Sequence, residues 1–450
     1  VPRTRGGQPP STVPPGQRAE GGDGATADAH GDVVYLSSLL GTHVSGALGH
    51  AEGRLADVIA RLGGDMSPSW APRVTGLVVS VDGADKFAHA YQLRALSHEG
   101  AQLNVDLASL GPFERRPGEV LLGRDLSSRH FIHLPRARLV RANDIALARV
   151  GSSWQVVGVD ISSRPALRRF LPRPLRRPAK RPRLVEWSEV EPFVSHVPTA
   201  RLRIPFRRLR RLHPAAIADL VEAASHQEGE EIIEAVSADP ALEADVFEEL
   251  DTEHQLEFLR GRSDEEAAHL LEAMAPDDAV DLLTELDQQR RLPILEKMGQ
   301  PAQAKIRALL SYNPQTAGGL MNPDFVSVPE TATVSQALDA VRTSTSPPEA
   351  CGVVFVTGEG GRLVGTALVV DLLRAPAGAG VAEATRPDPA TLEPDADIHE
   401  VVRKMSDYNL AVAPVVGPDG RMLGQITVDD VLEMLLPSGW RRQYGMVAPG

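Results

Sequence analysis

Three patterns of apolar and polar positions follow one another along the chain. From about residue 33 to 159, apolar residues come in short runs cut by Gly, Asp and Pro, as in LVVSV (77–81) and VVGVDI (156–161), which predicts short strands and tight turns. From LHPAAIADLVEAA (212–224) onward the spacing changes to apolar pairs three and four apart, the period of a helix. This stretch is interrupted about every twelve residues, at EELD (248–251), GRSD (261–264), MAPDD (274–278), ELD (285–287) and KMGQ (297–300). Each interval predicts one short helix, several with an acidic N-terminus, stacked into a superhelix in which no unit has a core alone. From 321 to 436 a strand–turn–strand–helix pattern occurs twice.

Two of the three regions read as internal duplications. In the first, LLG at Leu39 is followed by GRLADVIARL (53–62) and VTGLVVSVDG (74–83), and LLG at Leu121 by ARLVRANDIALARV (137–150) and WQVVGVDIS (154–162). Asp57 and Asp144 hold matching places, each just before an apolar strand, and are read as turn residues. In the last region, GGRLVGTALVVDLL (360–373) aligns with DGRMLGQITVDDVL (419–432), which puts Gly361 on Gly420 and Asp371 on Asp430. Each copy is preceded by a helical stretch (TVSQALDAVR, DIHEVVRKM) and a buried strand (GVVFV, VAPVV). The fold class is therefore multidomain α+β: a doubled β-barrel, an α-helical superhelix and a tandem β-α-β-β-α pair.

Composition narrows this picture. A chain of 450 residues exceeds one ordinary core. No apolar run approaches the roughly 20 residues of a membrane span, and no apolar signal core stands at the N-terminus, so a cytoplasmic protein is expected. The single cysteine, Cys351, excludes an internal disulfide framework and is read as a buried structural thiol. The net charge of −13 argues against a general nucleic-acid binder, yet the charge is segregated. Arginines crowd residues 164–211 and acids crowd 214–310. The Pro/Arg alternation at 164–183 reads as a linker whose arginines could meet RNA phosphate or anionic lipid headgroups. No Ser–His–Asp, P-loop or zinc signature is present, and His43, His50, His89, His98, His130 and His133 are scattered, so an enzyme is not expected.

The first region, on LLGRDL, RLVRANDI and VVGVDI, resembles the PRC-barrel family. The doubled pattern at 321–436 looks like a pair of CBS domains. Between them, an acidic helical array followed by SYNPQTAGGLMNPDFVSVPE (311–330) and a CBS pair ending in TVDDVLEML is similar to the cytosolic part of the MgtE magnesium channel family. Here Pro437, Ser438 and Gly439 break the pattern where that family continues into a connecting helix and membrane helices. The expected organisation is a disordered tail (1–31), PRC-like repeats (32–163), a basic linker (164–208), a superhelix (209–312), a CBS pair (313–436, with motifs at 321–374 and 381–436) and a tail (437–450). In TAGGLM, Gly318 and Gly319 predict a tight interdomain turn.

Candidate chemistry is carried by acids. Asp277 and Asp281 lie four apart on one helix face, and Asp430 and Glu433 share a face of the last helix. Pro276 also suits a first helical position, where Asp277 and Asp278 would stabilise the helix end without metal. The MgtE resemblance implies regulatory Mg²⁺ sites at Asp245, Asp277, Asp281, Asp430 and Glu433, with Asp397 as a further candidate. His399 and Asn409 stand where it implies carboxylates, and Ser438 and Arg441 replace acids of the connecting helix. The CBS resemblance implies an adenine-nucleotide contact (ATP or AMP) at Thr427 and Asp430; Leu368, before Asp371, lacks the equivalent hydroxyl. It also implies a homodimer. The leading expectation is a Mg²⁺-sensing regulator that acts through a partner such as a membrane transporter. An adenine-nucleotide sensor and an RNA- or ribosome-associated factor are the alternatives.

Overall fold

The computed structural model describes residues 33–47, 51–62, 71–162, 184–193, 197, 209–344, 346, 348 and 350–435. The tails at 1–31 and 437–450, with Ser438 and Arg441, and the Pro/Arg stretch at 164–183 lie outside the described residues. The chain divides into two compact units, residues 1–129 with 141–202, and residues 130–140 with 203–450.

The first unit is built on an eleven-stranded, nearly closed sheet. Its two long hairpins are Ala51–Arg61 with Arg73–Val81, and Asp144–Val150 with Ser153–Asp160. Each copy lends a strand to the other: Tyr35 pairs opposite Ala146, and Leu121 opposite Ile59. Each lent strand runs into one helical turn, α1 (Leu36–Leu39) in the first copy and a π-turn at Leu122–Leu126 in the second. Asp144 accepts from the backbone N–H of Ser37 at 3.0 Å, and Asp57 from those of Gly123 (2.7 Å) and Arg124 (3.0 Å). The two aspartates are equivalent, as their spacing suggests, but they are not simple turn residues. Asp57 is buried inside its strand, and each carboxylate caps the turn of the opposite copy. The repeat register also differs from an LLG-on-LLG match. Leu121 is the counterpart of Tyr35, and Ser128 (φ 66°) of Gly41 (φ 77°), because the π-turn holds one more residue than α1. Leu184–Glu186, which the composition assigns to the linker, forms a strand on Ser153–Asp160, with Trp187 and Val190 buried beside it.

The second unit begins with eight short helices: α2 (Pro214–Ala223), α3 (His226–Val236), α4 (Pro240–Glu249), α5 (Thr252–Arg260), α6 (Asp264–Ala273), α7 (Pro276–Glu285), α8 (Gln288–Lys297) and α9 (Gln300–Leu309). Most of the punctuation read in the sequence is one device. An apolar residue ends the helix in an extended conformation and is buried, as with Leu250, Met274, Leu286 and Met298. A helix packs on the second helix along, α2 on α4 on α6 on α8, and α5 on α7 on α9. A ladder of glutamates joins the two rows. Glu222 accepts from Asp251 N, Glu248 from Ala275 N and Glu272 from Gly299 N, the N-cap residues of α5, α7 and α9. Each rung satisfies an N–H that the start of a helix leaves without an intrahelical partner.

The TAGGL segment forms a helical turn, α10 (Ala317–Leu320), and no left-handed residue is used there. The glycines answer to crowding: a Cβ on Gly318 would stand 2.6 Å from the Tyr312 ring, and one on Gly319 2.3 Å from the Asn313 carbonyl. Two β-α-β-β-α motifs follow, with helices α11 (Val334–Thr343), α12 (Val369–Arg374), α13 (Ile398–Asp407) and α14 (Val428–Leu435). The segment entering the second motif, Arg386–Pro387, completes the first sheet beside Leu363–Leu368. Asn322, which enters the first motif, pairs with Gln425 in the second. Arg362 faces Arg421 across the pseudo-twofold axis, next to Gly361 (φ 77°) and Gly420 (φ 78°). Cys351 is half-buried, not fully buried, with its Sγ 3.4 Å from the Ser346 carbonyl. Among the described residues no helix is long and apolar enough to cross a membrane.

Candidate metal centre

The acids converge where α7 meets the second CBS motif. Pro276 opens α7 and places Asp277 and Asp278 in its first turn. Glu248 reaches up from α4 to accept the Ala275 N–H at 2.6 Å. The side-chain amide of Asn322 donates to Asp277 Oδ1 at 3.1 Å. On α14, Asp430 accepts the Thr427 N–H at 2.7 Å, and Thr427 Oγ1 accepts the Asp430 N–H at 3.4 Å. This reciprocal pair closes the start of α14 in the manner of a capping box and fixes where the Asp430 carboxylate stands.

Burial and neighbouring charge act on these groups together. Burial, and then the charge of Asp430, pushes the Asp277 carboxyl up to about 8, with Glu248 and Asp281 adding to the rise. Asp281, more exposed, is raised by burial and by Glu285. Asp430 is raised by burial and by Asp429, against the opposing pull of its bonds to Thr427. A buried carboxylate raised by neighbouring acids is an arrangement a divalent cation relieves. Their oxygens are the hard donors that Mg²⁺ or Ca²⁺ prefers.

Asp277 thus feels the charges of Asp430 and Asp281, as well as that of Glu248, and is bonded by Asn322; the last two were missed by sequence reasoning. No three of these four acids bring ligand atoms within 4.8 Å of one another in this structure. Glu248 had a signal, since an acid recurs near the end of α2, α4 and α6 in VEAA, FEEL and LEAM. Asn322 had none, because its partners depend on tertiary pairing. Asp245 lies on the exposed side of α4, and Asp397 is the N-cap of α13, accepting from Glu400 N at 2.9 Å. Glu433 belongs to α14, but its side chain lies outside the described residues. His399 is exposed and Asn409 takes a left-handed φ of 50°. In the first CBS motif, Asp371 accepts from Arg386 at 2.9 Å. Glu222, Asp251 and His254 also bring ligand atoms within 4.8 Å of one another. That group is the first rung of the glutamate ladder, in which Asp251 caps α5.

Residues 212–315 match the model of the MgtE intracellular N domain, and residues 317–378 and 381–437 match that of the CBS domain. Among curated proteins, the magnesium transporter MgtE of Thermus thermophilus is 34% identical over 233 residues, covering 50% of this chain and 51% of that protein. That of Bacillus subtilis is 26% identical over 192 residues, 43% of each. The chain therefore spans about half or less of the length of the curated relatives it matches. Among solved structures, the cytosolic domain of the Mg²⁺ channel MgtE in complex with ATP is 30% identical, with a TM-score of 0.47, covering 51% of this chain and 92% of that one. Residues 212–437 belong to the MgtE family, as an intracellular N domain joined to a CBS pair homologous to the cytosolic part of those proteins.

Proposed function

We propose that residues 212–437 form a Mg²⁺ sensor that regulates magnesium transport through a partner, and that the sensing site lies between α7 and α14. The observation that carries this reading is the meeting of the two parts at Asp277: the charge of Asp430, from the CBS pair, raises this carboxyl of the helical array, and Asn322, which is paired to the CBS strand, donates to it at 3.1 Å. Without a cation the two faces repel, and with one they close. The donor set fits a hydrated hard cation: Asp277, Asp281, Glu248 and Asp430 offer only oxygen.

The sensor works as a homodimer in the cytoplasm, without catalysis, and its partner is a membrane transporter. Exposed apolar side chains on α12 and α14 support the dimer: Leu373 is 66% exposed, Leu432 48% and Leu435 55%. Exposed apolar side chains of this kind are what association covers. Small-angle scattering of the purified chain through a millimolar Mg²⁺ titration tests the reading, with compaction expected. An unchanged radius of gyration, or ATP or AMP binding that persists in Asp277→Ala without any Mg²⁺ response, would overturn it in favour of a nucleotide sensor.

A further inference from the structure

The turn Asn322-Pro323-Asp324 ties three elements of the second unit together. Asn322 exchanges both backbone hydrogen bonds with Gln425 (2.8 and 2.9 Å), which fixes it to the strand that leads into α14. Its Oδ1 accepts the Asp324 N–H at 2.8 Å and closes an Asx turn. Its Nδ2 donates to Asp277 Oδ1 at 3.1 Å, on α7. Asp324 completes the strap. Its carbonyl accepts from Gln425 Nε2 at 2.8 Å, and its carboxylate pairs with Lys305 on α9 at 2.5 Å. One short turn therefore holds α7, α9 and the strand Met422–Thr427 at once.

We propose that the Asn322 carboxamide is the positioning residue of the cation site and its internal placeholder. The proposal rests on the sensor reading given above. Asp277 carries the strongest electrostatic load in the group, and the amide hydrogen that reaches it brings partial positive charge to the oxygen a cation would neutralise. Asn322 is 7% exposed, so little water competes for that bond. Because its backbone is stitched to the CBS strand, the side-chain bond holds α7 against α14 while no cation is present. The amide thus sets the fraction of molecules already closed. A cation that takes the amide's place must displace its bond, so the same contact that closes the cation-free molecule also sets the cation concentration at which it is replaced.

Asn322→Ser isolates this role. A serine keeps the backbone pairing and a hydroxyl acceptor for the Asp324 N–H, and it is too short to reach α7. In the full chain the variant is expected to be more expanded than the wild type in EDTA. Its Mg²⁺ midpoint for compaction, followed by scattering, should fall, by up to about tenfold, the size of one hydrogen bond to a charged group that the cation no longer has to displace. Its urea midpoint in saturating MgCl₂ should match the wild type, which a merely structural role would not allow. A second variant, Asn322→Asp, keeps the shape and turns the donor into a negative oxygen; in EDTA it too should be expanded. A wild type without any Mg²⁺ response sinks the sensor reading and this proposal with it. A responsive wild type whose curve superposes on that of Asn322→Ser, or a variant that loses urea stability at saturating Mg²⁺, sinks the placeholder alone.

Discussion

Asp430, on α14, is the strongest charge acting on Asp277, on α7, and the two belong to different domains of the MgtE-like half. A raised carboxylate pKa means that the folded chain holds protons which the unfolded chain gives up. The contribution of these groups to stability is therefore greatest at the acid end. It is lost as pH rises from the unfolded carboxylate range near 4 to about 8, the value reached by Asp277. In EDTA the urea midpoint of the chain should fall across this window and level off above it, and saturating Mg²⁺ should flatten the fall. Calorimetry in buffers of differing ionisation enthalpy should find about one proton released on Mg²⁺ binding at pH 7, and almost none at pH 9.

Asp277→Asn removes the most strongly loaded charge and keeps an oxygen for the Asn322 amide. At pH 8.5 in EDTA the variant should be stabilised by an amount of order 1 kcal/mol, one pKa unit's worth of relieved repulsion. It should be compact without Mg²⁺ and should no longer respond to it. Asp281→Asn, at an exposed position, should shift both readouts in the same direction by less. Urea titrations with and without Mg²⁺ check both variants.

What the sequence made legible followed from local periodicity. The helical spacing from 212 onward, the pairing of Gly361 with Gly420, and the place of Asp277 at a helix start can all be read without a structure. Both duplications were visible as well. Hidden were the exchanges between copies, because a strand of two or three residues such as Val34–Tyr35 carries no signal of which copy it completes. The same limit concealed Asn322, whose role comes from pairing with Gln425, and misassigned Asp57, whose partners are 66 and 67 residues away. Asp245 and Asp397 are candidates by residue type: an acid on a helix is a possible ligand, and only packing tells whether it faces other acids.

The glutamate ladder gives a contrast within one motif. Glu222→Ala and Glu248→Ala each leave the N-cap N–H of a helix without its carboxylate, at a cost of about 1 kcal/mol. Glu248 also raises Asp277, so its removal relieves repulsion when no cation is present. The loss caused by Glu248→Ala should therefore be smaller in EDTA than in saturating Mg²⁺. That of Glu222→Ala, away from the acidic group, should be the same in both. Urea unfolding under the two conditions measures the difference.

In the barrel-like unit, the reciprocal caps predict an asymmetry. Asp57 is 1% exposed and accepts three backbone N–H bonds, from Gly123, Arg124 and, at 2.8 Å, its own neighbour Val58. Asp57→Ala leaves those donors without the carboxylate where water cannot replace it, and should cost about 3 kcal/mol or more. Asp144 also accepts three bonds, from the N–H and hydroxyl of Ser37 and, at 2.9 Å, from its neighbour Ile145, but those to Ser37 are exposed and water can replace the carboxylate, so Asp144→Ala should cost less, about 1 kcal/mol. Gly123→Ala tests the same contact from the other side, since its Cβ would stand 2.9 Å from Asp57 Oδ1. The carboxylate must then withdraw from the N–H groups it caps, so this variant should resemble Asp57→Ala more than an ordinary Gly→Ala change. Amide hydrogen exchange at Gly123 and Arg124 reads the loss directly. Slow exchange retained in Gly123→Ala would show that the turn holds without Asp57.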